Sequence, residues 1–251
     1  MKKKLRRFKR RLLGLKDYVE ADGSIIPAPD LRWCGAEFKD NSFYLQSAER
    51  EAQRLVQSFG CNADSHVLDI GCGQGRLPIG LIRVLGTCHY TGLDVDWDSI
   101  HWCRKYIHHK HPSFRFKHIN VQNERYHKNG EPLNRKFKFH VRDNALDIIY
   151  LYSVFSHMYE NNMRIYLKDF ARILKPGGHL FFTTFVEENV PNFTNNPDDY
   201  GYDKYSSSLH VVRYEKNYLF SILQEKGFSV DKFEHRAEAN GQSAIYAKLA
   251  K

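Results

Sequence analysis

A glycine-rich turn is the feature of this sequence best suited to binding a ligand. It reads Gly71-Cys72-Gly73-Gln74-Gly75, and Asp69 stands two residues before the first glycine. Glycines permit a tight turn and let a ligand approach the backbone, which a β-carbon would prevent. A helix that follows would offer unpaired backbone amides to a carboxylate. The spacing predicts a ligand-binding turn, and it departs from the Gly-x-Gly-x-x-Gly of dinucleotide-binding proteins.

The segments around this turn alternate between strand-like and helix-like patterns. Strand patterns occur at residues 67–70, 90–93, 114–119, 146–152, 179–185, 229–234 and 243–249. Helical patterns occur between Ser47, the expected cap, and Gly60, and over residues 76–85 and 100–107. A fourth includes Met163 and is expected to stop at residues 175–178, and a fifth ends at Gly227. This alternation is typical of a doubly wound, Rossmann-like α/β fold with a mostly parallel sheet and helices on both faces.

Two stretches lie outside that alternation. Residues 17–46 are predicted to form an irregular arm, because Gly23, Pro27 and Pro29 interrupt any period. Residues 187–208, rich in Asn, Asp and Tyr, are predicted to form a long loop. The alternating segments are therefore assigned to one domain at residues 47–251.

Four segments resemble the motifs of class I methyltransferases that use S-adenosylmethionine (SAM). VLDIGCGQGR at residues 67–76 resembles the family's first motif, and YTGLDVD at residues 90–96 resembles its second strand. ALDIIYLYSVFSHM at residues 145–158 and ILKPGGHLFFT at residues 173–183 resemble the fourth strand and the approach to the fifth. The resemblance implies a seven-stranded sheet whose last strand is antiparallel, and it implies SAM as the cofactor.

The resemblance also implies how the turn would hold SAM. The amino-acid part of SAM would lie against the side chain of Asp69 and the backbone of the turn. The turn residues assigned to this contact are Gly71, Cys72, Gly73 and Gly75.

The remaining cofactor contacts implied by the resemblance follow later strands. Asp94 would accept hydrogen bonds from both ribose hydroxyls. Val95 would pack on the adenine, although it fits an ordinary core position equally well. Asn120 and Val121 stand where many relatives place an aspartate that reads the adenine amino group, and Tyr152 ends the fourth strand.

Two histidines are candidate bases for methyl transfer. The reaction is an in-line displacement, and a hydroxyl acceptor benefits from a base that takes its proton. His157 lies in the loop after the fourth strand, where family members face the methyl group, and His210 follows the long loop. His157 is the first candidate and His210 the second, and for either one a structural role or a hydrogen bond donated to the acceptor is the stronger interpretation.

The distribution of charge and the spacing of the cysteines reduce the number of functions to be considered. Residues 1–16 carry nine Lys and Arg and no acid, so subtracting nine from the net charge of +9 leaves zero for the rest of the chain. Without a basic excess in this domain, nucleic acid is not the expected substrate. The five cysteines form no Cys-x-x-Cys pair, and neither a disulfide framework nor a metal site is expected. The basic start lacks the apolar segment of a secretory signal, which predicts a cytoplasmic protein.

The expected function is methyl transfer from SAM to a small-molecule or glycan-like acceptor, at oxygen. IIPAPDLRW at residues 25–33 and SVFSHM at residues 153–158 resemble bacterial methyltransferases of sugar, polysaccharide and secondary-metabolite pathways. Three alternatives stay open: a SAM-binding subunit without catalytic activity, a methyltransferase that acts on protein or RNA, and a nicotinamide-dependent oxidoreductase. The oligomeric state is not predicted.

The first sixteen residues predict contact with a membrane surface. Leu5, Phe8, Leu12 and Leu15 recur at steps of three and four among the basic residues, which indicates a basic amphipathic helix. We expect the full chain to sediment with anionic liposomes and a chain lacking residues 1–16 to remain in the supernatant. Equal sedimentation of the two would contradict this prediction.

Overall fold

The computed structural model describes residues 13–32, 35–200, 207–238 and 240–250. Its helices are α1 (Asn41–Phe59), α2 (Arg76–Leu85), α3 (Trp97–Cys103), α4 (Glu160–Ile173) and α5 (Lys216–Glu225). Its strands are β1 (Tyr18–Ala21), β2 (Ser24–Pro27), β3 (His66–Ile70), β4 (His89–Asp94), β5 (Phe114–His118), β6 (Leu146–Leu151), β7 (Leu174–Glu187), β8 (Phe193–Asn195), β9 (Val212–Glu215), β10 (Phe228–Glu234) and β11 (Ser243–Leu249).

The central sheet confirms the predicted fold class. Its main path runs in the order β10, β11, β7, β6, β3, β4, β5. Strands β3 to β7 pair in parallel, and β11 is antiparallel to both of its neighbours. The order of the strands reverses beside β3, so the crevice at the carboxyl ends of β3 and β6 is where such folds bind ligands.

Alternating side chains of the sheet pack against helices on both faces. In β6, Ile149 and Leu151 belong to the apolar core shared with α4 and α5, whereas Ile148 and Tyr150 belong to the core shared with α1, α2 and α3. This arrangement gives the β6 segment its nearly continuous apolar sequence.

Helices α1 and α2 approach each other closely beside the turn that follows β3. A β-carbon on Gly80 of α2 would lie 1.9 Å from the backbone oxygen of Ala48 in α1. Glycine is therefore required for this contact, and the contact fixes α2, whose amino terminus begins directly after the turn.

The structure corrects several predicted boundaries. Asp40, not Ser47, caps α1, because its Oδ1 accepts a hydrogen bond from Phe43 N at 2.8 Å. Ser47 is buried and bonds to Tyr44 O within the helix. Helix α3 starts earlier than predicted, at a cap formed by Asp96, and continues as a π-helical turn at Arg104–His108. Helix α4 ends at Ile173, before the predicted stop.

Two regions predicted to be irregular contain strands. Part of the arm forms the hairpin of β1 and β2, which docks on the domain because Trp102 Nε1 donates to Asp17 O at 3.0 Å. The predicted long loop contains β8, which pairs with β9, and β9 in turn extends the end of β7 in parallel. Short segments of three or four residues give too few positions for a period to emerge.

The predicted membrane-binding helix lies largely in residues 1–12, outside the described residues, and it stays a prediction. Across residues 13–250 as described, no helix has both the length and the apolar character that a bilayer span requires.

Candidate functional site

A cavity of about 550 Å³ opens at the carboxyl ends of the parallel strands. It is lined by the glycine-rich turn, the end of β4, the segments that follow β5 and β6, and part of the amino-terminal arm. Ten of the predicted site residues line it: Asp69, Gly71, Cys72, Gly73, Asp94, Val95, Val121, Tyr152, His157 and His210. The structure therefore gathers residues from distant parts of the chain into one site.

The carboxylate of Asp94 joins the end of β4 to the glycine-rich turn. Its Oδ2 accepts a hydrogen bond from Gly73 N at 2.7 Å, and its Oδ1 accepts one from Asp96 N at 2.7 Å. The amides of Gly71 and Cys72 donate to Leu93 O at 2.7 and 3.1 Å. These three turn amides close the loop against β4, so they are already engaged within the protein.

Two glycines of the turn are required by backbone conformation and space. Gly71 has φ of 76°, and a β-carbon there would lie 2.6 Å from Val154 Cγ2. Gly75 has φ of 81° and caps α2, where a β-carbon would lie 2.4 Å from Ile107 Cδ1. Gly75 is not among the residues that line the cavity. Gly75 is therefore needed for the conformation of the turn and not as a surface of the cavity.

Asp69 places a buried carboxyl group at the base of the cavity. Its side chain is 2% exposed, and its Oδ2 accepts a hydrogen bond from the hydroxyl of Tyr90 at 2.6 Å. Burial, aided by the negative charge of Asp94 and opposed by the hydrogen bond from Tyr90 and the charge of Arg76, raises the pKa of Asp69 to about 7. The carboxyl group therefore titrates near neutral pH.

Gln74 is a site residue that the sequence reasoning missed. It is 5% exposed and lines the cavity, and neither atom of its amide has a hydrogen-bond partner among the described residues. An unpaired buried amide costs roughly 1 to 3 kcal/mol of stability unless a ligand or water satisfies it. The arrangement suits a polar ligand beside the turn, as expected for the amino-acid part of SAM.

The position predicted to read the adenine lies away from the cavity. Asn120 is exposed, its Oδ1 is 2.8 Å from His127 Nε2, and it does not line the cavity. The lining residues at this point are Val121, Gln122 and Asn123.

Asn123 organises the segment that follows β5. Its Oδ1 accepts hydrogen bonds from the amides of Arg125 and Tyr126 at 2.9 and 3.0 Å. Its Nδ2 donates to the backbone oxygen of His157 at 2.9 Å. The side chain of Asn123 thus stabilises the turn at Arg125 and Tyr126 and bonds this turn to the backbone of His157, the predicted catalytic residue.

His157 is held at both ring nitrogens. Its Nδ1 lies 3.1 Å from Leu209 O, which can only accept, so Nδ1 carries the proton and Nε2 is the unprotonated nitrogen. Nε2 lies 3.3 Å from Ser153 Oγ, whose hydroxyl can donate to it and whose oxygen accepts from Gln242 Nε2 at 2.7 Å. Gln242 Oε1 in turn accepts from Thr183 Oγ1 at 2.7 Å. This network connects the segment after β6 to β7 and to the start of β11.

The charge states of the two predicted histidines follow from their surroundings. Burial, aided by the positive charge of Arg125, lowers the pKa of His157 to about 4. The same two causes lower the pKa of His210. His157 is therefore neutral near pH 7, and its Nε2 holds a proton weakly.

Further residues on the cavity wall had no signal in the sequence. Arg125 and Tyr126 come from a segment without periodicity between β5 and β6, and Asn162 and Tyr166 lie one turn apart on α4. The helical pattern places Tyr166 on the apolar face of α4, but it does not distinguish a core position from one that reaches a cavity.

The amino-terminal arm also contributes to the site. Arg32 and Phe38 line the cavity beside Arg76, whose guanidinium lies 5.3 Å from the ring centre of Phe38 and 4.3 Å from that of Tyr152. The hydroxyl of Tyr152 donates to Glu238 Oε2 at 2.9 Å. The ring of Tyr152 therefore faces Arg76, and its hydroxyl is hydrogen-bonded to Glu238.

The described residues contain no group of three or more His, Cys, Asp or Glu side chains arranged to hold a metal ion.

Comparison with known proteins points to one family. A family model of the methyltransferase domain matches residues 44–240. The fatty-acid O-methyltransferase of Mycolicibacterium smegmatis is 30% identical over 137 residues, which cover 53% of this chain and 43% of that protein. The phthiotriol/phenolphthiotriol dimycocerosates methyltransferase 1 of Mycobacterium ulcerans is 29% identical over 123 residues, which cover 49% of this chain and 38% of that protein. The matches thus span less than half the length of these two curated relatives.

A solved structure shares the fold. The magnesium protoporphyrin IX methyltransferase of Synechocystis, solved with bound SAM, superposes with a TM-score of 0.56 at 13% sequence identity. The superposition covers 87% of this chain and 86% of that protein.

The buried carboxyl of Asp69 predicts a specific pH dependence of stability in the ligand-free protein. Because folding raises its pKa from 3.8 to about 7, the folded state keeps a proton that the unfolded state loses, so this group's contribution to stability is complete below pH 4 and is lost as the pH rises through 7. Relative to Asp69→Asn, the free energy of unfolding of the wild type should fall by up to roughly 4 kcal/mol between pH 4 and pH 8. Urea unfolding at several pH values measures this difference.

A matched control is Asp64→Asn, which changes an exposed aspartate beside the same strand. Its difference from the wild type should stay constant over this pH range. A constant difference for Asp69→Asn as well would contradict the prediction.

Proposed function

We propose that this chain, which belongs to the family of class I SAM-dependent methyltransferases, transfers the methyl group of SAM to an oxygen atom of a small amphiphilic acceptor. The observation that supports it is a single cavity lined both by the turn beside Asp69 and Asp94 and by the wall around His157. Cofactor and acceptor can therefore occupy one enclosed space, as direct transfer between them requires.

The residues around the turn fit SAM. We assign Asp69, together with backbone oxygens of the turn, to the ammonium group, because the turn amides of Gly71, Cys72 and Gly73 are already engaged. The unpartnered amide of Gln74 suits the polar amino-acid end of the same molecule. When bound, SAM supplies an electrophilic methyl group on a positively charged sulfur.

Asp94 and Val95 are assigned to the nucleoside. Each oxygen of the Asp94 carboxylate accepts one backbone hydrogen bond, and a carboxylate oxygen can accept a second. Asp94 can therefore bind two ribose hydroxyls while it still holds the turn. Of the two residues predicted here, Val121 lines the cavity and Asn120 does not, so we assign Val121 and its neighbour Gln122 to the adenine.

The character of the acceptor is inferred from the wall and from the relatives. Met158, Phe185 and Val211 give the wall apolar surface, while Asn162 and Tyr126 supply polar groups. Two relatives are named for fatty-acid and dimycocerosate lipid substrates. We therefore favour an acceptor with an apolar body over the glycan expected from the sequence. The apolar residues of the amino-terminal tail would bring such a chain to a membrane surface, and Leu15 at its end is 52% exposed.

Binding of the demethylated product, S-adenosylhomocysteine, provides the first test. We expect the wild type to bind it in calorimetry and Asp94→Asn to bind it at least about tenfold more weakly, because a charged acceptor of two hydrogen bonds becomes a neutral one. The amide oxygen of the new side chain can still accept from Gly73 N, so the turn should stay folded. Asp64→Asn serves as the control with unchanged affinity. A wild type that binds neither SAM nor its product at millimolar concentration would refute the proposed function.

Transfer of a labelled methyl group provides the second test. With labelled SAM and a lipid extract, the wild type should place label in material that partitions into organic solvent. His157→Ala should lower that rate about 100-fold, because the ring, through its contacts with Leu209 and Ser153, holds the cavity wall in position. The rate should not change with His157 ionisation between pH 5.5 and 8.5, since the ring is neutral throughout. His140→Ala removes an exposed histidine as the control.

The destination of the label distinguishes the alternatives. Label in polysaccharide, protein or RNA, and not in the lipid fraction, would contradict the proposed acceptor. Product binding without any transfer would favour a SAM-binding subunit without catalytic activity. An unchanged rate in His157→Ala would remove His157 from the site.

A further inference from the structure

His157 lies between two residues whose backbone is left-handed. Ser153 Oγ lies 3.3 Å from its Nε2, and Ser153 has φ of 58°. Leu209 O accepts from its Nδ1, and Leu209 has φ of 54°. The other non-glycine residues with positive φ in the described chain are Asp22, Asn144, Asn189, Asn196 and Arg236. Positive φ is uncommon for residues other than glycine, asparagine and aspartate, and it persists only where the surrounding structure enforces it. Because Ser153 and Leu209 contact the same ring, the fold holds that ring in a set position.

A closed ring of hydrogen bonds holds Ser153 in this conformation. Ser153 N donates to Thr183 Oγ1 at 2.8 Å, and the Thr183 hydroxyl donates to Gln242 Oε1 at 2.7 Å. Gln242 Nε2 donates to Ser153 Oγ at 2.7 Å and closes the ring. Thr183 and Gln242 are 0% and 1% exposed, so bulk water does not compete for these bonds. Gln242 therefore fixes the side chain of Ser153 directly and its backbone through Thr183.

Gln242 stands immediately before β11, where Glu238 supports it. Glu238 N donates to Gln242 O at 3.0 Å, and Glu238 Oε2 accepts from the hydroxyl of Tyr152 at 2.9 Å. Tyr152 and Ser153 directly follow β6 in the chain. Glu238 and Gln242 thus hold two successive residues at the point where the chain leaves the central sheet.

The conformation of Ser153 sets the course of residues 153–158, which we call the wall segment. Val154 packs on the glycine-rich turn, since a β-carbon on Gly71 would lie 2.6 Å from Val154 Cγ2. Four residues of the wall segment line the cavity, namely Ser153, Val154, His157 and Met158. The wall segment therefore contacts the glycine-rich turn near its start and forms the wall assigned to the acceptor further along. A rotation of the backbone at Ser153 would move that wall relative to the turn.

Leu209 is held in its conformation on the other side of His157. It is 2% exposed, and its backbone N donates to Asn195 Oδ1 at 3.2 Å. The next two amides, those of His210 and Val211, each donate to Asn196 Oδ1 at 3.0 Å. His157 therefore has two supports from distant parts of the chain, and the support at Ser153 is the one that also carries the wall segment.

From this geometry we propose that Gln242 is a positioning residue for methyl transfer: together with Thr183 it keeps Ser153 in the left-handed conformation, and it thereby holds the wall segment at the distance from the glycine-rich turn that in-line transfer requires. The inference rests on the proposed function and assigns a role to a residue outside the cofactor contacts. Gln242 acts through Ser153, because both ends of its amide are engaged in the ring. A small displacement of the wall would misalign the acceptor with the methyl group and lower the rate by orders of magnitude.

A matched pair of threonines tests the ring in the full chain. Thr183 and Thr184 are both fully buried in β7, but Thr184 Oγ1 has no hydrogen-bond partner among the described residues. With labelled SAM and a lipid extract, Thr183→Val should lower the rate of methyl transfer about 100-fold. Gln242→Leu should lower it as much, and Thr184→Val should leave it unchanged. None of the three should alter the affinity for S-adenosylhomocysteine, because Asp94 and Leu93 hold the glycine-rich turn independently of the ring.

Replacement of Ser153 by glycine distinguishes positioning from packing. Glycine adopts a positive φ without steric cost, so it needs no ring to hold it there. Ser153→Gly introduced into Gln242→Leu should therefore raise the rate of transfer at least about tenfold above that of Gln242→Leu alone. If Gln242 only filled space, the second substitution would remove further contacts and lower the rate again.

The pKa of His157, followed by nuclear magnetic resonance, supplies a readout that needs no acceptor. Burial, aided by the positive charge of Arg125, holds this pKa at about 4, against an ordinary value of 6.5. In Thr183→Val and Gln242→Leu the wall segment should shift and water should reach the ring, so the pKa should rise towards its ordinary value. Thr184→Val should leave the pKa as it is in the wild type.

The inference is overturned by a wild-type rate in Thr183→Val and Gln242→Leu, by an equal loss in Thr184→Val, or by a glycine substitution that restores nothing. An unchanged pKa of His157 in both ring variants would also overturn it, and this comparison applies even where no turnover is detected. Should Gln242→Leu fail to fold, Thr183→Val beside Thr184→Val decides the question. These outcomes leave the proposed function intact, whereas a wild type that does not bind S-adenosylhomocysteine would refute the proposed function itself.

Discussion

The hydrogen bond between Asp94 and the amide of Gly73 is the interaction on which the site depends. It ties the end of β4 to the turn after β3, and Leu93 O holds the two preceding amides of the same turn. The turn is thereby fixed in a conformation that places the buried Asp69 at the base of the cavity and sets the direction in which α2 begins. Because the carboxylate of Asp94 both holds the turn and faces the cavity, the same group determines the shape of the site and is available to a ligand.

The fold was predictable because burial on both faces of a parallel sheet leaves a clear pattern. The apolar run of β6 and the glycine turn after β3 identify the centre of the sheet, and the order of the strands follows from the resemblance to a known family. The hairpin of β1 and β2 and the short strands β8 and β9 were missed, because three or four residues are too few to show a period. The cap of α1 was misassigned because Ser47 directly precedes the apolar residues that begin at Ala48, although the buried Tyr44 and Leu45 extend the same stripe towards Asp40.

The candidate site was predictable where it follows strands and not where it depends on a folded loop. Most of the predicted cofactor residues line the cavity because they occupy the ends of β3, β4 and β6. Asn120 was chosen by its position after β5, but the chain turns there and brings Asn123 to the site instead. The side chain of Asn123 stabilises this turn, because its Oδ1 accepts hydrogen bonds from the amides of Arg125 and Tyr126. One hydrogen-bonding residue stabilises this turn, and the segment around it has no periodic pattern. The spacing of residues in the sequence therefore does not predict the turn.

The cavity retains groups that destabilise the ligand-free fold, and their placement carries information about the ligands. A carboxyl group with a pKa near 7 and an amide without partners at Gln74 each cost free energy that apolar residues would not. Both lie at the turn, where a ligand with a cationic, polar end would satisfy them. Because this cost is relieved only when such a ligand binds, the ligand should stabilise the protein through these two side chains. The same placement holds one end of the ligand at the turn and leaves the rest of the cavity to the acceptor, where the protein has to exclude water and hold the acceptor in line with the methyl group.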